Sequence, residues 1–214
     1  MKKLGFTLAE VLITMAIIGV IAAVTLPTLN VNVTENAAVT KYKKAMASIS
    51  SIGSIIAAND RMDFSDLATG AVATADNAGY DNGQLRRQVW AVFDKYGRLD
   101  RNHTTGATAI GGQCNTATQI IFFKDNTALC YNARGENNFI TGWIDINGTK
   151  APNQAFSCTD ATCNNRTVGD QLAVTLAGED AYPGHLTAFN RANDTATFPE
   201  ADTNTFAARW AFEK

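Results

Sequence analysis

The sequence predicts an α+β protein in which a long N-terminal helix, membrane-spanning in its first half, packs through its second half on an antiparallel β-sheet. Three observations predict this class. An almost unbroken apolar run extends from Gly5 to Pro27. A stripe of apolar residues at helical spacing follows it as far as Ile56. The second half of the chain then alternates short apolar segments with turn residues, as antiparallel sheets do.

Length and charge limit the domain organisation and the class of partner. The chain has 214 residues, of which 18% are charged, and its formal net charge is -2. This length suits one ordinary domain with an appendage, or two small domains. The near-neutral charge argues against binding of nucleic acid by the chain as a whole, because such binding relies on many cationic contacts to phosphate.

The apolar run is longer than the core of a secretory signal peptide. Lys2 and Lys3 supply a basic start, and the run continues over residues 11–26, beyond the roughly 7–15 residues of a signal-peptide core. No Ala-x-Ala cleavage site follows before Asn30. With residues 6–9 added, the run approaches the roughly 20 residues that cross a bilayer as a helix. The charge distribution predicts a single-pass anchor with a cytoplasmic N-terminus and the rest of the chain outside.

Glu10 is unexpected in this run, because a carboxylate at the centre of a membrane helix costs roughly 2.5–3.5 kcal/mol. The residues before and up to it read Lys-Lys-Leu-Gly and then Phe-Thr-Leu-Ala-Glu. This segment resembles the prepilin cleavage and methylation motif of type IV pilins and of the pseudopilins of type II secretion. The motif joins a short basic leader, a glycine, an aromatic residue and a glutamate at fixed spacing before a long apolar run.

The resemblance implies a role for three residues. Gly5 ends a leader peptide of residues 1–5, which a prepilin peptidase removes on the cytoplasmic face. Phe6 then becomes the N-methylated first residue of the mature chain, and Glu10 is the acidic residue of the family. A transmembrane and assembly helix is implied over residues 6–29.

The chemistry of the new N-terminus offers Glu10 a partner. An α-amino group titrates near pH 7.7–8.0, so the freed amine of Phe6 is largely cationic at neutral pH. Glu10 lies one helical turn further on, about 6 Å along the axis. In a filament, the Phe6 amine of a neighbouring copy can pair with Glu10 inside an apolar bundle, where an unpaired charge is costly. The alternative is a solvated carboxylate at the membrane interface.

Residues 30–59 predict the amphipathic second half of the same helix, whose apolar face covers a sheet of the same chain. Pro27 costs about 3 kcal/mol in an ordinary helix interior, so we expect it to kink the helix or melt a turn. Asn59 and Asp60 form a stop signal. The apolar stripe consists of Val39, Tyr42, Met46, Ile49, Ile52 and Ile56.

Residues 60–214 form the predicted C-terminal globular domain, which the resemblance implies to be pilin-like. We expect an irregular connection over residues 60–83 and then a short helix that contains Leu85, Val89, Val92 and Phe93 and is closed by Gly97. Residues 120–131 predict a hairpin around a Lys-Asp-Asn turn. Further strands are predicted at residues 138–146, 171–176 and 205–212.

The four cysteines all lie in the second half of the chain, at Cys114, Cys130, Cys158 and Cys163. An even number of cysteines behind an export-like segment favours two disulfides in an oxidising compartment. Four cysteines permit three pairings, and the sequence alone selects none of them. Our preference is the short-loop pairing, Cys114 with Cys130 and Cys158 with Cys163.

No residue pattern for catalysis is present, so we predict that the protein is not an enzyme. His103 and His185 are isolated in polar loops, without the cysteine or carboxylate spacing of a zinc site. The chain also lacks a phosphate-binding glycine loop and a Gly-x-Ser-x-Gly nucleophile motif.

A turn after the third predicted strand contains oxygen ligands of the type that calcium prefers, at Asp145, Asn147 and Asn153. The distal bidentate glutamate of a calcium-binding loop is absent. A tight turn that closes two strands is the alternative explanation. We therefore predict no cofactor and no metal, and keep calcium at Asp145 and Asn147 as a hypothesis.

The resemblance implies a structural subunit of a type IV pilus or of a type II secretion pseudopilus. Its implied partners are other copies, other pilins or pseudopilins, the prepilin peptidase, the inner-membrane assembly platform, and membrane lipid before assembly. The implied location is the bacterial inner membrane and then a periplasmic or cell-surface filament.

A binding function is the alternative. In this case the chain is a minor tip pilin whose globular domain binds DNA, a surface or a secreted substrate. An exposed cluster built from Trp90, Trp143 and Trp210, or a basic strip, favours this alternative, whereas core packing is the simpler role of scattered aromatic residues. The sequence leaves nucleic-acid binding undecided.

Overall fold

The computed structural model of the chain describes residues 7–69, 89, 91–97, 99, 110–114, 119–132 and 138–214. The chain divides into two compact units, Met1–Ala38 and Val39–Lys214. It contains an N-terminal helix and an antiparallel sheet, so the α+β prediction is confirmed.

Helix α1 extends from Leu8 to Asp60 and ends at the predicted stop signal. The helix is continuous through Pro27, so the predicted melting of a turn there is wrong. A proline removes one N–H donor, but the turns on either side keep their own hydrogen bonds, and a long helix can continue through it.

The second unit is built on five strands: β1 Gln119–Phe122, β2 Ala128–Asn132, β3 Ile140–Asp145, β6 Gln171–Ala177 and β7 Asp180–Pro183. They form one sheet in the order β1-β2-β3-β6-β7, and every neighbouring pair is antiparallel. The predicted hairpin and the predicted strands at residues 138–146 and 171–176 are confirmed. All seven residues of β6 are buried, because both faces of this strand are covered.

The predicted apolar stripe of α1 is buried in the second unit. Its six residues, Val39 to Ile56, are at most 7% exposed. The Tyr42 hydroxyl donates a hydrogen bond to the Ala173 carbonyl of β6 at 2.7 Å, and burial raises the pKa of this phenol. The second half of α1 therefore packs on the sheet, as predicted.

Helix α2, Phe64–Thr69, lies in the segment predicted to be irregular, so that prediction is wrong for these residues. The Asp63 carboxylate accepts hydrogen bonds from the amides of Ser65 and Asp66, and the Asp66 carboxylate accepts one from the Asp63 amide. This reciprocal capping resembles a capping box with aspartate in place of glutamate, and it stabilises a short helix in a polar sequence. The rest of the predicted connection, from residue 70 onward, lies outside the described residues.

A third helical segment, α3, covers residues 91–96. It ends immediately before Gly97, which the sequence predicted to close this helix, while residues 85–88 and 90 of the predicted helix lie outside the described residues. Val89, from the same predicted helix, is helical and fully buried. The described part therefore agrees with the helical spacing of the sequence.

The strand predicted at residues 205–212 is wrong, because helix α4 extends from Thr203 to Glu213. Asp202 caps this helix by accepting hydrogen bonds from the amides of Asn204 and Thr205. The buried residues are small and recur at helical spacing: Thr205, Ala207, Ala208 and Ala211. Alanine has the highest helix propensity, and three alanines on one face let α4 pack closely on the sheet.

Two small hairpins complete the fold. Strands β4, Ser157–Cys158, and β5, Arg166–Thr167, pair within the excursion between β3 and β6. Strands β8, Ala188–Asn190, and β9, Thr195–Thr197, pair after β7. The second hairpin rests on a satellite core of Phe139, Ala177, Leu186 and Phe189.

Candidate functional site

The first turn of α1 contains the described part of the N-terminal motif. Gly5 and Phe6 lie outside the described residues. The Thr7 amide donates to Glu10 Oε2 at 2.8 Å, and the Thr7 hydroxyl donates to the same oxygen at 2.8 Å. In return, the Glu10 amide donates to Thr7 Oγ1 at 3.3 Å. These bonds form a capping box, in which the two residues satisfy each other's free backbone donors.

Sequence reasoning assigned Glu10 a pairing role and missed its capping role. The signal was present, because Thr-x-x-Glu before an apolar run is the capping-box pattern. Glu10 Oε2 is occupied within its own chain, while the carboxylate keeps further acceptor capacity on its second oxygen. The capping contacts therefore position Glu10 and leave room for a second, cationic partner.

Around and after Glu10, the first turns of α1 carry large apolar side chains that are exposed. Nine of them are between 41% and 82% exposed: Leu8, Val11, Leu12, Ile13, Met15, Ile17, Ile18, Val20 and Ile21. They point to all sides of the helix, because their spacing follows no single face. A helix that is apolar all round is stable only when it is surrounded by lipid or by other apolar helices.

By length and hydropathy, no helix of the described residues qualifies as a membrane span. The membrane-spanning character of residues 6–29 stays a prediction.

In the second unit, the turn at Asp145 is organised by two acids. Asp145 Oδ1 accepts a hydrogen bond from the Asn147 amide at 3.0 Å, and its Oδ2 accepts one from Gln171 Nε2 at 3.0 Å. Asp170, which sequence analysis did not single out, accepts from the amides of Asn153 and Gln154 at 2.9 and 2.8 Å. The turn is therefore held by carboxylates that receive N–H donors.

The electrostatics of this turn follow from burial. Asp145 is fully buried, and burial raises the pKa of its carboxyl to about 6, with a further upward contribution from the nearby Asp170 charge. The hydrogen bonds from Gln171 and Asn147 lower this pKa, but they do not cancel the increase that burial causes. Asp145 is thus a poorly solvated carboxylate that binds a proton more readily than an ordinary aspartate.

The same turn is a poor fit for calcium. Asn147 Oδ1 and Asn153 Oδ1 are buried and have no hydrogen-bond partner among the described residues, which suits a cation. The carboxylate oxygens, however, already accept N–H bonds, and the described residues contain no group of three or more histidine, cysteine, aspartate or glutamate side chains that could hold a metal ion. Calcium at Asp145 and Asn147 stays a hypothesis that these contacts do not favour.

The four cysteines form two disulfides in the preferred pairing. Cys114 is joined to Cys130, which ties the turn at residues 110–114 to β2. Cys158 is joined to Cys163, which closes the loop between β4 and β5. All four side chains are buried, so both bridges lie inside the second unit.

His185 lies in a more specific setting than the sequence suggests. Its ring packs edge-on against Trp143, with the ring centroids 5.0 Å apart, and its Nδ1 lies 3.7 Å from Asp202 Oδ2 at the cap of α4. Burial lowers the pKa of His185, although the Asp202 charge opposes this shift. The imidazole is therefore a neutral packing group between β3 and α4 at neutral pH.

The described tryptophans are packed against neighbouring side chains. The Trp210 ring stacks on Phe156 at 5.7 Å, and Arg166 Cζ and Lys214 Nζ lie 4.8 and 4.6 Å from its centroid. Trp143 is buried, and Trp90 lies outside the described residues. Neither described tryptophan offers the open face that a stacking platform for bases or sugars needs.

Comparison with known families decides the nature of the N-terminal segment. A family model for the prokaryotic N-terminal methylation motif matches residues 1–26. The chain therefore carries a prepilin signature. The prepilin signature is that of type IV pilins and pseudopilins, and in general it implies prepilin-peptidase processing and assembly with other pilins. No curated protein and no solved structure matches the chain.

Proposed function

We propose that this protein is a structural subunit of a type IV pilus or a type II secretion pseudopilus, processed between Gly5 and Phe6 and methylated on Phe6. One observation carries the proposal: the prepilin signature at residues 1–26 leads directly into a helix whose apolar side chains are exposed on all sides. The proposed location is the inner membrane before assembly and a periplasmic or surface filament afterwards.

The proposed mechanism is assembly without catalysis. Apolar side chains of α1 leave lipid and pack against the same helix of neighbouring copies. Glu10, positioned by Thr7, then accepts the cationic Phe6 amine of a neighbour. Because an unpaired charge in an apolar bundle is costly, this pair favours one register over others.

Mass spectrometry of the N-terminal peptide from cells that assemble the protein tests the proposal. The expected peptide begins at Phe6 and is heavier than the unmodified peptide by one CH2, because a methyl group replaces a hydrogen of the amine. A mature chain that still contains Lys2 and Lys3, or that begins beyond the apolar run, would contradict it. The same chain should be recovered in fibres sheared from the cells.

A minor tip subunit that binds DNA, a surface or a secreted substrate is the alternative within the same family of machines. The contacts around Trp210 do not favour it, because Phe156, Arg166 and Lys214 of the same domain already lie against that ring. Abundance separates the two roles. A major subunit forms most of the sheared fibre, whereas a tip subunit is present in traces and its removal leaves most of the fibre protein in place.

A further inference from the structure

One end of the sheet in the second unit is basic. Here the turn between β1 and β2 and the loop after β3 both meet α1. Lys44 forms a 2.9 Å ion pair with Asp125 of the turn, and Lys41 Nζ donates to the Ile146 carbonyl of the loop at 3.2 Å. We call this surface the basic end, and its exposed lysines are Lys41, Lys44, Lys124 and Lys150.

Among the described residues, few acids offset these lysines. Asp125 is exposed, but it is paired with Lys44. Asp145 and Asp170 lie close by, but both are buried and their oxygens accept hydrogen bonds from N–H groups. The exposed groups that the structure describes at the basic end therefore carry excess positive charge.

The opposite end of the sheet is acidic. There the turn between β6 and β7 meets the end of α1: the Ala181 amide donates to Ser50 Oγ at 3.1 Å, and the Phe64 amide donates to the Gly178 carbonyl at 2.8 Å. We call this surface the acidic end, and its carboxylates are Asp60, Asp63, Asp66, Glu179, Asp180 and Asp194.

The cations at the acidic end are fewer and largely engaged. Arg191 pairs with Asp63 and Asp66, at 3.1 and 2.6 Å, and Lys95 pairs with Asp60 at 3.0 Å. The remaining cation among the described residues there is Arg61. Glu179 and Asp180 are exposed and form no ion pair with another described residue, so this end carries excess negative charge.

The two ends are separated by the length of the sheet. Strand β6 runs from Gln171, paired with Asp145 near the basic end, to Ala177, paired with Asp180 at the acidic end. At about 3.3 Å per residue the ends are about 20 Å apart. Opposite charges on one copy therefore cannot reach each other across this distance.

We propose that copies of this chain contact each other head to tail, with the basic end of one against the acidic end of the next. This inference rests on the proposed function. It identifies a contact between two copies that lies outside the N-terminal helix. A head-to-tail contact joins two different surfaces, so it does not close on itself and extends into an open filament. Complementary charge sets the orientation of the incoming copy and makes its addition sensitive to salt.

A zero-length carbodiimide cross-link on sheared fibres tests the contact, because it forms an amide only between a lysine and a carboxylate in direct contact, with loss of water. The expected cross-links join Lys124 or Lys150 to Glu179 or Asp180. Since these groups lie about 20 Å apart within one copy, such a link reports two copies. Lys44 with Asp125 supplies the internal control, because this pair is in contact within each copy.

Charge reversal sharpens the test. Lys124→Glu with Lys150→Glu should reduce fibre assembly about tenfold at low salt, and Glu179→Lys with Asp180→Lys should do the same. A chain with all four reversals regains opposite charges at the two ends, so its assembly should recover. Failure of the fourfold variant to recover, with its N-terminal processing intact, would overturn the contact.

The remaining outcomes separate this inference from the proposed function. Fibres that contain the chain and show the control link without the end-to-end link overturn the contact and leave the proposed function standing. Absence of the chain from fibres overturns both. If Lys124→Glu with Lys150→Glu instead weakens binding of the full chain to phosphatidylglycerol vesicles or to duplex DNA, with no end-to-end link in fibres, the basic end binds lipid or nucleic acid and the contact is overturned.

Discussion

Thr7 and Glu10 bond to each other in both directions across the first turn of α1. Two donors of Thr7 converge on Glu10 Oε2 at 2.8 Å, and the Glu10 amide returns a bond to Thr7 Oγ1. Glu10 therefore has a local role that is independent of any neighbour: it caps the helix on which assembly is proposed to depend. Substitutions can separate this role from charge pairing.

Glu10→Ala removes both the cap and the charge, whereas Glu10→Gln keeps an oxygen acceptor for the Thr7 amide and removes only the charge. We expect both variants to be cleaved and methylated normally and to be poorly incorporated into fibres, measured as the ratio of sheared to cell-associated protein. Thr7→Val is the matched control, because it removes the hydroxyl and keeps the charge. Wild-type incorporation of Glu10→Gln would show that capping suffices and that the amine pair is not required.

Gly53 of α1 lies against the turn after β6. A Cβ at this position would meet the Glu179 carbonyl oxygen at 2.1 Å and Phe64 Cε2 at 2.8 Å. We expect Gly53→Ala to lower the free energy of unfolding by about 1–3 kcal/mol, because the contacted carbonyl belongs to the backbone and cannot move aside. Urea unfolding followed by circular dichroism measures this loss.

Ser54→Ala is the control for that substitution, since Ser54 is exposed at the adjacent helix position and its hydroxyl donates to the Ser50 carbonyl of its own helix. Its expected change lies within about 0.5 kcal/mol. Equal stability of the two variants would mean that α1 is not seated on this turn.

The buried Asp145 makes stability depend on pH. Its folded pKa of about 6 exceeds the value of about 3.9 expected in the unfolded chain, so between these pH values the folded state binds more protons. The contribution of Asp145 is therefore most favourable below about pH 4 and is lost as the pH rises to about 6, by a few kcal/mol at most. The folded state lowers the pKa of His185, so the contribution of this residue to stability is lost as the pH falls below its ordinary pKa near 6.5.

The difference between wild type and Asp145→Asn isolates the contribution of Asp145. Melting temperatures of both chains, measured from pH 4 to pH 8, should converge at low pH and diverge in favour of the variant as the pH rises. A parallel pair of curves would show that Asp145 titrates normally in the folded state.

The two disulfides should contribute unequally. The bridge from Cys114 to Cys130 spans 16 positions and that from Cys158 to Cys163 spans 5. In the chain-entropy model, loss of the longer loop costs about 3 kcal/mol and loss of the shorter about 2 kcal/mol. Urea unfolding of the two paired Cys→Ala variants provides the comparison, and a larger loss from the shorter loop would contradict the entropic account.

Local and periodic features were readable from the sequence. The prepilin signature is a short contiguous motif, so it needs no folded context. The buried stripe of α1 follows from the 3.6-residue period of apolar side chains, and the hairpin of β1 and β2 follows from two apolar segments around a polar turn. In each case the residues that interact are neighbours in the chain or recur at a fixed interval.

Tertiary structure decided the rest, because it brings together residues that are distant in sequence. Residues 205–212 contain aromatic residues that suit a strand, but the Asp202 cap and the packing of the buried alanines make this segment helical. The pairing of β3 with β6 places Asp170 beside the turn at Asp145, and the turns at the two ends of the sheet collect lysines on one side and carboxylates on the other. The sequence by itself determined the prepilin signature at the N-terminus and which helix face is buried. Burial and strand order, which depend on the whole chain, decided where the charges of the globular unit meet the solvent.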